Sequence, residues 1–310
     1  MFNSASLEAL RLVLKKTLDG YSNDIEKYLA YSRLPVVDVD AQNGVFARTI
    51  TAESIGTDQD SSVKAKGAPF LEISSELGNV QYQTLDYGVA EVIDAHDLEE
   101  LTQRQLMDAA RMFKRCANKS LLDLDLLLAT IIKGNGTGNK LVNSLTLSAG
   151  EEFNNFDSAT SDPDGTIQAM VETTLGGDTV YMGRDVANAL KRHPGIGEKF
   201  YAPGARADRS ITDAQLVSWL QDVHNIMNVG IDGVFYQQGS EQFALNAARP
   251  LAGAFYLGHF ENLQCVSFKR LYSKAWDSED TNSRKIAAIH ASDIVVQDPA
   301  LGLALKNVLE

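Results

Sequence analysis

The feature that most constrains the fold of this chain is an amphipathic run at residues 95–133. Its apolar residues recur mostly at spacings of three and four, which is typical of one continuous helix of about ten turns, roughly 50 Å long. We place Asp123 and Asp125 on the side away from this apolar stripe. A rod of this length needs a sheet or a neighbouring subunit along its whole length. The stripe contains Leu98, Leu101, Ala109, Ala110, Phe113, Cys116, Leu121, Leu124, Leu127, Leu128 and Ile131.

Composition limits the class of protein. The chain has 310 residues, 44% of them hydrophobic and 22% charged, and a net charge of −13. It is therefore able to bury one large core or two smaller ones. The acidic balance argues against a protein that reads nucleic acid, because neutralising phosphates requires clustered Lys and Arg side chains. The two cysteines, Cys116 and Cys265, are too few for a disulfide framework or a zinc site, and we expect both to be reduced core residues.

The sequence contains no signal for a membrane or for secretion. No uninterrupted apolar stretch reaches the roughly 18 residues of a membrane span, and the N-terminus lacks the apolar region of a signal peptide. We therefore expect a soluble protein that is made in a cytoplasm and has no membrane partner.

Two segments before the long helix have distinct characters. Residues 6–18 predict a short helix with Leu7, Leu10, Leu14 and Leu18 on one side, and a helix this short must dock on its own subunit or on another. Residues 45–85 contain strand-like pieces around a polar centre with almost no apolar residues. This predicts a long extended loop rather than a packed domain, and loops of that length are usually functional or disordered.

After the long helix, predicted helices and strands alternate irregularly, and the last third of the chain is rich in strand signals. A helix is predicted after Thr212, which is placed to cap it. No repeat or low-complexity linker divides the chain. The predicted class is α+β with mixed or antiparallel sheets.

The residues give no strong sign of catalysis, of a metal site or of a cofactor. Gly134, Gly136 and Gly138 imitate a phosphate-binding loop but lack its spacing and its strand-to-helix position. The histidines, His96, His193, His224, His259 and His290, are scattered and are expected to be structural. Asp157, Asp162 and Asp164 do not have the spacing of a calcium loop, and a solvated acidic loop is the simpler interpretation.

The order of these segments resembles that of the major capsid proteins of tailed bacteriophages, which have the Hong Kong 97-type capsid fold. By this resemblance, residues 1–44 form the N-terminal arm and the entry to the peripheral P-domain, and residues 45–90 form the E-loop. Residues 91–165 form the P-domain with a spine helix at 95–133, residues 166–262 form the axial A-domain, and residues 263–310 return to the P-domain. The resemblance covers nearly the whole chain but concerns order and character, because no invariant motif defines this family.

The resemblance implies a structural subunit of an icosahedral phage head that self-assembles into a shell around double-stranded DNA and is not an enzyme. Its partners would be other copies in hexamers and pentamers, a portal, and possibly scaffolding or decoration proteins. The protein would belong to the virion and be assembled in the host cytoplasm. The candidate intersubunit contacts are Leu7, Leu10, Leu14 and Leu18 in the arm and Lys64 and Lys66 in the E-loop, two lysines that are more simply loop charges than crosslinking residues.

Two other functions stay open. An encapsulin-type nanocompartment shell protein has the same fold and the same lack of chemistry, but encloses protein cargo. A soluble α+β enzyme would assemble its site from scattered residues such as His224, Asp222 and Asp232.

Overall fold

The computed structural model describes residues 4–20, 27–52, 78–94, 103–201, 210–233, 236–237, 247–278 and 283–309. The described chain is α+β, as predicted, and contains a four-stranded sheet, a five-stranded sheet and two short two-stranded sheets. None of the described helices is long and apolar enough to cross a membrane.

The elements are numbered in chain order. The helices are α1 (Ser4–Asp19), α2 (Leu29–Ser32), α3 (Gln103–Thr130), α4 (Pro163–Thr173), α5 (Arg184–Arg192), α6 (Pro194–Phe200) and α7 (Asp213–His224). The strands are β1 (Val36–Asp38), β2 (Asn43–Ala47), β3 (Asn79–Gln83), β4 (Leu85–Asp94), β5 (Asn143–Thr146), β6 (Thr179–Met182), β7 (Asn228–Ile231), β8 (Tyr236–Gln237), β9 (Ala247–Ala248), β10 (Phe255–Gly258), β11 (Leu263–Ser278), β12 (Ser283–Val296) and β13 (Gly302–Lys306). A π-helical turn, Ile131–Asn135, continues α3, and short 3₁₀ turns cover Gly138–Lys140 and Pro299–Leu301.

A long antiparallel hairpin, β11 and β12, forms the centre of the four-stranded sheet, whose strand order is β1-β11-β12-β4. Helix α3 packs on β12 and β4, and α1 packs on β11 and on α3. The two helices therefore lie side by side on one face of this sheet. On the other face, the β2–β3 pair packs its side chains Val80 and Tyr82 against Val266 and Val295.

Helix α3 carries the predicted apolar stripe. Residues 95–102, which include Leu98 and Leu101, lie outside the described residues. The stripe is otherwise confirmed, since its members are fully buried except for Ala110 and Leu127, which are half-buried. The fully buried members are Ala109, Phe113, Cys116, Leu121, Leu124, Leu128 and Ile131. Both cysteines are free and buried, as expected.

The prediction that Asp125 faces away from the stripe was wrong, because its side chain is completely buried. Its Oδ1 accepts a hydrogen bond of 2.8 Å from the backbone N–H of Ala30, at the start of α2. Oδ2 has no hydrogen-bond partner among the described residues. The pKa of Asp125 is raised to about 7, mainly by burial and to a smaller extent by the nearby carboxylate of Asp232, against the lowering effect of the backbone N–H groups of Ala30 and Leu29.

The five-stranded sheet has the order β5-β13-β10-β6-β7 and forms the second half of the molecule. Its core includes Trp219 of α7 and Val186 of α5, both buried against strand residues such as Phe255. The predicted division of the chain placed residues 143–146 and 302–306 in the P-domain. In the structure, β13 pairs with β10 on one side and with β5 on the other, so both of these strands belong to the five-stranded sheet.

The register of the stripe predicts opposite effects at two neighbouring positions. Phe113 is fully buried between α1, α3 and the hairpin, so Phe113→Ala should lower the free energy of unfolding by about 3–5 kcal/mol. The Arg111 side chain is 75% exposed and pairs only with the surface residue Asp108, so Arg111→Ala should cost less than about 1 kcal/mol. Denaturant unfolding of unassembled subunits measures both values, and equal losses would mean that the stripe has another register.

A second prediction concerns the pH dependence of stability. An aspartate in an unfolded chain titrates near pH 4, whereas folded Asp125 keeps its proton up to about pH 7. The folded state therefore binds more protons between these values, and its stability should fall as the pH rises through this range. Each pKa unit is worth about 1.4 kcal/mol, so the loss should amount to a few kcal/mol.

Asp125→Asn should flatten this decline, as measured by denaturant unfolding at a series of pH values from 4 to 8. Asp123→Asn is the matched control, because Asp123 lies on the same helix and pairs with Lys119 near the surface. Wild type and Asp125→Asn with parallel pH profiles would show that the carboxyl group of Asp125 does not cause the decline.

Candidate intersubunit surfaces

The outgoing side of the predicted extended loop is tied to the four-stranded sheet by a polar network. The side-chain oxygen of Gln297 accepts a hydrogen bond of 3.0 Å from the backbone N–H of Thr49. Gln264 donates to the Thr49 hydroxyl at 3.1 Å and accepts from Gln297 at 3.0 Å. Asp298 accepts from the backbone N–H of Ala52 at 2.8 Å. The chain is thus held up to the last described residue before the loop.

The returning side is held by Asp293, which is almost fully buried. Its two oxygens accept hydrogen bonds from Gln83 at 3.2 Å and from Ile294 at 2.9 Å. Lys140 forms an ion pair with the same carboxylate at 2.7 Å. The side chain of Asn139 donates to the Gln81 carbonyl at 2.6 Å. The glycine-rich turn after α3 therefore supports the base of the loop, and its lysine is occupied by a carboxylate rather than placed for a phosphate.

Gly136 explains why this turn needs glycine. A Cβ atom at position 136 would lie 1.8 Å from the Lys140 carbonyl oxygen, which is far inside any allowed contact. Gly134 has a φ of 70°, in the left-handed region that glycine adopts easily. These two glycines end α3 and turn the chain towards the base of the loop.

Exposed apolar side chains surround this base. Val45 is 58% exposed and Leu85 is 50% exposed, and both line an open cleft between the loop base and the turn at 138–140. Leu141 lines a second cleft beside it. Exposed apolar residues grouped around one structural feature are typical of a contact surface. Residues 53–77, which include the candidates Lys64 and Lys66, lie outside the described residues.

The structure corrects the arm candidates. Leu10 and Leu14 are 0% and 1% exposed and pack in the subunit's own core against Phe113 of α3 and Leu271 of β11. They have no surface left for a neighbouring subunit. Leu7 and Leu18 are half-buried at the margin of the same cluster. The apolar side of α1 therefore stabilises its own subunit, because the hairpin and α3 together form a groove that accepts it.

The three residues of the alternative enzyme site, Asp222, His224 and Asp232, each interact with a different residue and not with one another. Asp222 accepts a hydrogen bond from Ser218 on the surface of α7. The buried His224 faces Asp164, with 3.0 Å between Nε2 and Oδ1, and its ring packs edge-on against Trp219. Asp232 accepts from the backbone N–H of Leu251 at 3.3 Å. Burial lowers the pKa of His224, with a smaller opposing effect from Asp164.

A buried Ser–His pair, which sequence reasoning missed, also has a structural explanation. Ser161 lies 3.2 Å from His193 Nε2, but its hydroxyl donates to the Glu152 carbonyl at 2.8 Å. A serine whose proton is held by a carbonyl is not arranged to transfer it to the imidazole. Burial lowers the pKa of His193.

The acidic loop is more ordered than expected. Asp162 caps α4 by accepting a hydrogen bond from Gly165, and Asp164 forms an ion pair with Lys199 at 2.6 Å. These carboxylates therefore hold helix ends together. Among the residues that the structure describes, no group of three His, Cys, Asp or Glu side chains is placed to hold a metal ion.

Comparison with known proteins identifies the fold. No protein-family model matches the sequence, and no curated protein matches it either. A phage-related protein from Bordetella bronchiseptica RB50 has a similar structure, with 13% identity, 96% coverage of each chain and a TM-score of 0.65. The capsid of a native GTA particle matches at 15% identity over 90% of this chain and 89% of that one, with a TM-score of 0.55.

A virus-like particle from Pyrococcus furiosus is also similar, at 10% identity over 96% of this chain and 98% of that one, with a TM-score of 0.52. Sequence identity this low establishes a shared fold and nothing finer. In each case the similarity covers 90% or more of this chain. The chain therefore has the Hong Kong 97-type fold of phage capsid proteins, as the order of its segments predicted.

Proposed function

We propose that this chain is the major capsid protein of a phage head, the repeating subunit that self-assembles into an icosahedral shell around double-stranded DNA. The observation that carries this proposal is the similarity in fold, over about nine tenths or more of the chain, to proteins whose structures are capsids or virus-like particles. A shared fold alone does not determine function. The features of the loop base give it independent support.

The structure of the loop base is suited to assembly in which one surface of each subunit contacts a different surface of its neighbour. The body is compact and well packed, while both ends of residues 53–77 are fixed to it by Gln297, Asp298 and Asp293. A loop with anchored ends and a polar centre is suited to lie on a neighbour rather than in its own core. Contacts between unlike surfaces close into rings when the rotation closes, and rings then tile a shell.

The contacts themselves remain proposals. We propose that Lys64 and Lys66 in the E-loop, together with the exposed Val45 and Leu85 at its base, contact neighbouring subunits. We also propose that Leu7 and Leu18 contact a neighbouring subunit with the part of their side chains that is exposed, because both are only half-buried in their own subunit. The proposed partners also include a portal and scaffolding or decoration proteins, in a virion that is assembled in the host cytoplasm.

The role is structural rather than enzymatic. This proposal is supported by the roles of the polar groups that could imitate an active site. Asp164 joins α4 to α6 through an ion pair, and the Ser161 hydroxyl binds a backbone carbonyl. An encapsulin-type shell remains the second candidate, because one similar structure is a virus-like particle. Purified shells that contain protein cargo in place of DNA would favour this second candidate.

Negative-stain electron microscopy of the purified full chain tests the proposal directly. We expect closed shells of uniform diameter, made of hundreds of subunits. A folded monomer that stays monodisperse across salt, pH and protein concentration would contradict it.

The extended loop generates a more specific prediction. Deleting residues 58–67 should leave the described body folded, because the anchoring residues Thr49, Ala52 and Gln83 lie outside the deletion. Assembly into shells should be impaired, because the deleted segment would no longer reach a neighbour. Circular dichroism and electron microscopy of the variant measure the two effects. A variant that unfolds, or that builds normal shells, would show that the loop has another role.

A further inference from the structure

Seven exposed cations lie on the outer side of helices α1 and α3. The two helices pack on the same face of the four-stranded sheet and touch each other, so their outward residues share one surface, which we call the helix face. Its exposed carboxylates are Glu8 and Asp19, and the half-buried Asp108, Asp123 and Glu91 lie at its edges. The cations are Arg11, Lys15, Lys16, Arg111, Lys114, Arg115 and Lys119.

The helix face has the opposite sign of charge from the chain as a whole. Among the side chains that the structure describes, the seven cations of this face exceed its five carboxylates by two, whereas the net charge of the protein is −13. Three of the cations of α3 pair with half-buried carboxylates: Arg111 with Asp108 at 3.1 Å, Arg115 with Glu91 of β4 at 2.7 Å, and Lys119 with Asp123 at 2.8 Å. On α1, Arg11, Lys15 and Lys16 form no ion pair with any described residue. These three charges are therefore available to a partner.

We propose that the helix face is the inner wall of the shell and contacts the phosphates of packaged double-stranded DNA. This inference rests on the proposed function, since it needs a shell with DNA inside. Net charge argued against nucleic-acid binding only because it averages over the whole chain. The structure instead places a quarter of all Lys and Arg side chains on one surface, which is the clustering that phosphate binding requires.

The chemistry of the helix face fits DNA better than a second protein. Leu12 and Met107, each 55% exposed, are its only large exposed apolar side chains among the described residues. A protein contact needs an apolar centre and is depleted in lysine. Phosphate contacts need only positive charge, and they carry no sequence information.

The spacing of the cations supports a contact along a strand. Arg111, Arg115 and Lys119 follow one another at four-residue intervals along about 12 Å of one side of α3, and each of them also pairs with one carboxylate. Arg11 and Lys15 repeat this spacing on α1. Flexible side chains on a flat surface of two helices do not enter a groove, so the contact should be independent of sequence and easily reversed, which allows DNA to move during packaging.

The test compares two double variants of the full chain. Lys15→Gln/Lys16→Gln removes two unpaired cations from the helix face. Lys274→Gln/Lys285→Gln is the matched control. In the register of β11 and β12, Lys274 pairs with Ala287 and Lys285 pairs with Trp276. The adjacent pair, Ala275 and Ile286, faces the helices, so both lysines lie on the opposite face of the sheet. Binding of unassembled subunits to a random-sequence double-stranded DNA fragment is measured at several salt concentrations, and shells are examined by electron microscopy.

The helix-face variant should bind DNA more weakly than wild type and should reduce the slope of log affinity against log salt by about 2, since each phosphate contact contributes about 0.9. The control should keep the slope of wild type.

Unchanged affinity in the helix-face variant, or an equal loss in the control, overturns the inference. A helix-face variant that binds DNA normally but fails to form shells also overturns it, because the face would then meet an acidic surface of a neighbouring copy. If the wild-type protein binds DNA through the helix face but never forms shells, the proposed function is contradicted, whereas the inferred contact with DNA is still supported.

Discussion

The packing of helix α3 on the four-stranded sheet, chiefly on β12 and β4, is the contact on which the rest of the structure depends. The helix buries Phe113, Leu121, Leu124 and Leu128 completely, and the burial of four such side chains contributes on the order of 1.5–3 kcal/mol each. The same hairpin receives α1 next to α3 and the β2–β3 pair on its other face. Removal of this contact would therefore expose α1, the loop base and the sheet together.

The polar groups show how this framework fixes the segments that flank the loop. Gln264, Gln297 and Asp298 at one end of the hairpin fix the outgoing side of the loop, and Asp293 fixes its return. Asp125 similarly connects α3 to the start of α2. Buried polar groups of this kind are costly unless they are hydrogen-bonded, so they specify one arrangement of the segments they join. The surface charges divide the molecule in a different way, with cations on the helix face and the carboxylate excess elsewhere.

The sequence predicted the elements with strong local signals. The spacing of apolar residues predicted the stripe of α3, and Thr212 caps the start of α7 as expected, where it forms a capping box with Gln215. The position of Asp125 was also visible, because it lies four residues after Leu121 and three before Leu128, on the stripe. Its polarity led to the wrong assignment, since only the tertiary structure supplies the backbone N–H of Ala30 as a partner.

Contacts between segments that are far apart in the chain could not be predicted from the sequence. Thr49 and Gln297 are 248 residues apart, and no local pattern indicates that they meet. The same holds for Leu10 and Leu14, since an apolar helix side fits its own subunit or a neighbour equally well until the groove that accepts it is known. The pairing of β13 with β5 is likewise a property of the folded sheet.

The central claim is that this fold exists to build a shell from copies of itself. Sedimentation velocity of the purified full chain across a range of protein concentrations tests it most directly. We expect a single fast boundary, at the mass of hundreds of subunits, that grows at the expense of the subunit boundary as concentration rises. A boundary that stays at the mass of one subunit at every concentration would contradict it.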